Sequence, residues 1–137
     1  MLDIPLIVKE KRIHSPKGDV IHFLKKDSEG FTGFGEAYFS VIKPNVTKAW
    51  KLHKEATCNL TVLKGKVRFV IQMKNKSYAE FLLTEHDEDR LLIPPNLWFG
   101  FQNKNQEDSK ILNIIDILHN PKEQISADLC SFDFNWS

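Results

Sequence analysis

Two side chains suited to proton chemistry, Lys51 and His53, stand two residues apart within residues 50–65. That stretch reads as a strand, a short bend, a second strand and a tight turn at Gly65. Side chains alternate across a strand, so Lys51 and His53 share one face. If that face lines a cavity, the cavity holds a base beside a cation. A histidine is partly neutral at pH 7 and can accept a proton. A lysine next to it can steady an enolate oxygen or grip a phosphate. The plainer alternative is a histidine at a barrel mouth, hydrogen-bonded to its surroundings.

The other polar and aromatic residues divide in the same way. His119, just before Asn120-Pro121, is either a second proton carrier opposite His53 or a polar residue ending a strand. His14, His22 and His86 stand among turn residues and charges and read as surface positions. Lys48, Lys66 and Arg68 either hold a phosphate group, for which arginine offers two parallel hydrogen bonds, or are solvated strand-face charges. Tyr38, Trp98 and Phe101 either stack on a ligand ring or fill a core. Glu36 and Asp116 are candidates to orient a histidine, and spacing does not choose between them. Cys58 reads as an inert small core residue. Ser40 has no acid–base neighbours that would make it a nucleophile.

These residues must be positioned by a chain of 137 residues, one domain's length and enough to bury a core without disulfides. A formal charge of +1 leaves no electrostatic footprint for nucleic acid. Basic residues are interspersed with acidic ones, so no polybasic membrane patch forms. No apolar run approaches the roughly 18 residues that span a bilayer. Residues 4–8 are too short for a signal-peptide core. Two cysteines, Cys58 and Cys130, lie far apart, and a reducing cytoplasm is the expected compartment.

Short strands succeed one another along the chain. Residues 2–13 and 20–24 can each supply a strand, separated by the turn signal Ser15-Pro16-Lys17-Gly18. Residues 36–42 and 47–53 come next. From Lys66 the alternation is clear: Val67, Phe69, Ile71 and Met73 are apolar between polar neighbours, and Val70 alone breaks the pattern. Residues 78–84, 90–93, 97–102 and 111–118 read as further strands, and residues 121–129 as a turn of helix before a C-terminal tail. Many short strands with frequent turns predict an all-β sandwich or small barrel.

Four motifs occur in a recognisable order. They are Tyr38-Phe39-Ser40-Val41-Ile42-Lys43-Pro44, Lys48-Ala49-Trp50-Lys51-Leu52-His53-Lys54, Asn59-Leu60-Thr61-Val62-Leu63-Lys64-Gly65-Lys66-Val67, and Leu92-Ile93-Pro94-Pro95-Asn96-Leu97-Trp98-Phe99-Gly100-Phe101. Together they resemble the dTDP-4-dehydrorhamnose 3,5-epimerase branch of the cupins and the sister 3,4-ketoisomerases. The resemblance spans residues 20–121. It implies a single jelly-roll (double-stranded β-helix) domain and a homodimer, with an N-terminal strand within residues 1–19 exchanged between subunits. It also implies a cofactor-free reaction in which a histidine removes the proton beside a keto group, an enolate forms, and a proton returns.

Carried over residue by residue, His53 falls on the base. Lys51 stands where some relatives have the first histidine of a His-x-His pair. Asn59 replaces a lysine that faces the enolate, Phe99 replaces a pocket histidine, and His119 replaces a tyrosine acid. Metal-binding cupins would need ligands at Lys51, His53, Thr57 and Phe99; one ligand of those four cannot hold zinc or iron, so no metal is expected. The resemblance therefore implies an epimerase or ketoisomerase of a nucleotide-diphosphate 4-keto-6-deoxy sugar, serving surface-polysaccharide synthesis. His53, His119 and Lys51 would be its catalytic residues; Asn59, Arg68, Lys48, Tyr38, Trp98 and Phe101 would bind substrate. The alternative is a silent cupin that binds a nucleotide sugar without reacting.

Overall fold

The computed structural model describes residues 3–137; Met1 and Leu2, the start of the expected N-terminal strand, lie outside the described residues. Twelve strands run in order: β1 (Leu6–Lys9), β2 (Arg12–Ile13), β3 (Val20–Ile21), β4 (Glu36–Ile42), β5 (Thr47–His53), β6 (Cys58–Lys64), β7 (Lys66–Gln72), β8 (Tyr78–Thr84), β9 (Asp89–Ile93), β10 (Trp98–Asn103), β11 (Ser109–Ile115) and β12 (Gln124–Ser126). Two five-stranded antiparallel sheets face each other. The first has the order β1-β9-β6-β11-β4, the second β12-β5-β10-β7-β8, and β2-β3 form a separate ribbon. This is the expected all-β jelly roll. No helix among the described residues is long and apolar enough to cross a membrane.

The core lies between the sheets and obeys the sequence alternation. Val67, Phe69 and Ile71 of β7 point inward with Leu60 and Val62 of β6, Leu91 and Ile93 of β9, and Ile111 and Ile115 of β11. Each such aliphatic or aromatic side chain, once buried, contributes about 1.5–3 kcal/mol. Val70 breaks the alternation because the outer face of β7 is also covered. It packs there with Trp50 and Trp136 beneath the C-terminal tail.

Two glycines allow close approaches. Gly65, at φ +89°, makes the turn between β6 and β7, and a Cβ there would collide with Ser109. Gly100 of β10 lies so close to Ala49 of β5 that a Cβ would strike it.

The structure departs from the sequence reading in residues 121–129. Asn120 caps a 3-10 turn, Pro121–Glu123, through its side chain. Instead of continuing as helix, the chain extends as β12, because the free edge of β5 offers it a ladder: Gln124 pairs with His53, Ile125 with Leu52 and Ser126 with Lys51. A second 3-10 turn, Leu129–Ser131, leads into the tail. At the other end, β1 pairs with β9 of its own chain.

Candidate active site

A cavity of about 330 Å³ opens between the sheets, with Tyr38 and Ser40 of edge strand β4 on one side and β5 with the residues Ser126 and Ala127 on the other. Its apolar floor comprises Leu60, Phe99, Phe101 and Ile111.

Lys48, Lys51 and His53 all line this cavity. In a regular strand, residues three apart point to opposite faces, so Lys48 and Lys51 should diverge. A β-bulge brings them together. Phe99 pairs with Lys51 and Phe101 with Lys48, so two residues, Ala49 and Trp50, stand opposite the single Gly100. The extra residue restores the phase. Both lysines face the cavity, while the Trp50 ring joins the aromatic cluster on the outer face. The bare backbone of Gly100 is what gives Ala49 room.

His53 is 4% exposed. Its Nδ1 lies 2.8 Å from Oε1 of Glu123, whose Oε2 accepts the backbone N–H groups of Glu55 at 3.0 Å and Ala56 at 2.9 Å. Burial pushes the Glu123 carboxyl up. The hydrogen bonds from His53 and from the Ala56 and Glu55 amides outweigh that and hold it below the usual carboxylate range. An ionised Glu123 can only accept, so His53 Nδ1 donates. In the neutral ring Nε2 then carries the lone pair, and Nε2 is buried without a hydrogen-bond partner. The Phe99 ring stacks on the imidazole, with centroids 6.0 Å apart and planes at 23°.

Tyr38 belongs to the other sheet. Its hydroxyl accepts a hydrogen bond from Asn113 Nδ2 at 2.9 Å, which leaves the phenolic proton free to be donated. Burial pushes this phenol up to about 12, so it stays protonated at neutral pH. Asn113 is 4% exposed and its Oδ1 has no partner. Burial also pushes the Cys58 thiol up to about 12, which leaves it unreactive. Among the described residues, no three His, Cys, Asp or Glu side chains come together as metal ligands.

The fold thus gathers Lys48, Lys51, His53, Tyr38 and Phe101 around one cavity. Four other residues expected there lie elsewhere. Arg68 alternates with the inward Val67 and Phe69, so it emerges on the outer face. There its Nε donates to Glu80 at 2.8 Å, and its Nη1 donates to the Trp136 carbonyl at 3.0 Å. Trp98, one residue from the inward Phe99, packs outside against Phe132 at 5.3 Å. Asn59, between the inward Cys58 and Leu60, points to the outer side of the first sheet; it accepts from Arg90 and donates to the Gly30 carbonyl at 3.3 Å. His119 lies past the end of β11, exposed, its Nδ1 2.9 Å from the Gln124 side chain.

Neither carboxylate singled out from the sequence orients His53. Asp116 accepts from the Thr57 amide and the Thr32 hydroxyl, and Glu36 begins β4 opposite Ile115. Glu123 does so from a segment that sequence reading took for a plain turn of helix. Asn113 was also missed, although its phase in β11, between the inward Ile111 and Ile115, was there to be read.

No family model matches the sequence. A dTDP sugar isomerase from Desulfovibrio desulfuricans G20 superposes with a TM-score of 0.86 at 29% identity, over 96% of this chain and 90% of that one. The chain has the cupin fold of the sugar-nucleotide epimerases and ketoisomerases. A dTDP-4-dehydrorhamnose 3,5-epimerase from Elizabethkingia anophelis NUHP1 shares the cupin fold with a TM-score of 0.81 at 15% identity, over 96% of this chain and 80% of that one. So does QdtA, a sugar 3,4-ketoisomerase from Thermoanaerobacterium thermosaccharolyticum in complex with TDP, with a TM-score of 0.78 at 18% identity, over 91% of this chain and 89% of that one. By sequence, this cupin is 24% identical to the probable low-salt glycan biosynthesis epimerase Agl13 of Haloferax volcanii, over 88% of this chain and 85% of that protein. These structural neighbours are sugar isomerases and epimerases, and the sequence relative is a probable glycan biosynthesis epimerase.

Proposed function

We propose that this cupin is an epimerase or ketoisomerase of a nucleotide-diphosphate 4-keto-6-deoxy sugar, working by enolisation with its own side chains. The observation that carries the reading is the His53 Nε2 lone pair. It is buried beside the cavity without a partner and backed through the ring by ionised Glu123. A base needs that tautomer and that freedom.

In the proposed reaction, Nε2 takes the proton from the carbon next to the C4 keto group. The C–H electron pair moves into a C=C bond, and the keto oxygen becomes an enolate beside Lys51. Lys48 takes the diphosphate. Tyr38, on the opposite sheet with its proton free, takes the acid role expected of His119. Return of a proton to the same carbon from the other side is epimerisation. In ketoisomerisation the C3 hydroxyl proton passes to the C4 oxygen, the C=C pair takes the returning proton at C4, and the keto group is left on C3. A cavity that binds without reacting is the competing reading, supported by Phe99 against the His53 ring in place of a second polar group.

The free thiols Cys58 and Cys130 support a reducing, cytoplasmic setting. Exposed Phe39 and Val41 on the outer side of β4 support a homodimer, which light scattering would measure directly.

The deciding experiment is incubation with dTDP-4-keto-6-deoxyglucose in heavy water, with the ring protons monitored by NMR. Loss of the C3 proton with deuterium entering at C4 and the keto group moved to C3 identifies a ketoisomerase; deuterium at C3 and C5 identifies an epimerase. In either case His53→Ala abolishes exchange. Binding without exchange at high enzyme concentration overturns the enzymatic reading in favour of the silent cupin.

A further inference from the structure

Glu123 itself is buried and its carbonyl accepts the Lys54 N–H at 2.8 Å, but the stretches on either side of it are thinly held. β12 is a three-residue strand on a sheet edge, and its central Ile125 is 41% exposed. The approach to it is no better buried, since Leu118 is 72% exposed and His119 and Asn120 are exposed as well. A ladder this short is marginal without packing behind it. The C-terminal tail supplies that packing, on the far side of the second sheet from the cavity.

Past Ala127 the chain turns onto that outer face. Trp50 and Ala127 exchange backbone hydrogen bonds of 2.9 and 3.0 Å, and the Trp50 indole donates to the Leu129 carbonyl at 3.1 Å. Phe132 and Trp136 then close on the Trp50 ring at 5.3 Å each, and Phe134 at 6.1 Å. The end of the tail is fastened by Arg68. Its guanidinium lies over the Phe134 ring at 5.1 Å and the Trp136 ring at 5.6 Å, and it shares the Trp136 carbonyl with Gln102. Trp50 is also one of the two bulge residues that turn Lys48 and Lys51 to a common face. One aromatic cluster therefore anchors both the strand that carries the lysines and the segment that carries Glu123.

We propose that residues 128–137 form a clasp that sets the tautomer of His53 from outside the cavity, with Arg68 and Trp136 as its positioning residues. Neither touches the cavity, and each acts through Trp50 and β12 on the His53–Glu123 pair. The inference stands whatever substrate the cavity takes, and its test needs none.

The test is NMR of the full chain carrying 15N-labelled histidine, with thermal unfolding measured on the same samples. The unaltered protein shows His53 as a single Nδ1–H form. In Arg68→Ala and Trp136→Ala the protein still unfolds cooperatively, but His53 becomes a mixture of both tautomers. Trp136→Phe, which keeps an aromatic ring in the cluster, returns the single form. If Trp136→Ala does not fold, Trp136→Leu, which keeps apolar bulk without the aromatic stack, takes its place. A lowered melting temperature with the His53 signals unchanged in folded Arg68→Ala and the Trp136 variant would overturn the proposal and leave the tail a purely structural cover.

Discussion

Glu123 Oε1 meets His53 Nδ1 at 2.8 Å across 70 residues of chain, and that contact leaves the lone pair of the neutral imidazole on Nε2. Glu123→Gln keeps the size of the side chain but can offer an N–H where the carboxylate only accepts. The ring then turns to the Nε2–H tautomer and the base is lost. The expected fall in the deuterium-exchange rate is about 10³-fold or more, in a protein whose fold by circular dichroism is unchanged.

The same carboxylate makes stability depend on pH in a definite direction. Its folded pKa lies below the usual glutamate value of 4.5, so the unfolded chain takes up the proton first on acidification. The stabilisation is complete above that usual value and is lost as pH falls through the lower, folded value. Urea unfolding at neutral pH should show Glu123→Gln less stable than the unaltered protein. The gap should narrow as the titration is repeated below about pH 4.5. A gap that widens in acid would contradict this.

Lys48 and Lys51 face one cavity only because of the bulge opposite Gly100. Lys48→Met should weaken TDP binding about tenfold by calorimetry, the usual scale for one charge-assisted hydrogen bond. Gly100→Ala should weaken it too, although Gly100 does not line the cavity, because the new methyl group displaces Ala49.

Tyr38, with its phenol pushed up to about 12, keeps its proton throughout the neutral range. Tyr38→Phe should leave proton abstraction by His53 in place while product formation falls about 10²-fold, the low end of general acid catalysis. Deuterium washout into recovered substrate, set against product yield, separates the two steps. Equal loss of both would remove Tyr38 from the acid role.

The features legible from the chain alone stem from its period of two. Alternation in residues 66–72 and the common face of Lys51 and His53 are local properties of an extended chain, and both are present in the fold. Composition and turn signals are also local, and they yield the all-β class. Alternation likewise contained the reasons that Arg68 and Trp98 leave the cavity, since each neighbours an inward core residue, and that Asn113 enters it.

Tertiary structure decided the rest, because it depends on which distant strands become neighbours. The bulge at Ala49-Trp50 exists only against Gly100, and no count along one strand reveals that Lys48 joins Lys51. Glu123 reaches His53 because residues 124–126 find the open edge of β5, an edge that exists only once the second sheet has formed. Val70 looked like an error in the pattern, and it marks where the tail closes over the sheet. Residue types and their local phase set which faces are apolar. Only the packing of distant segments could choose the carboxylate that orients the histidine.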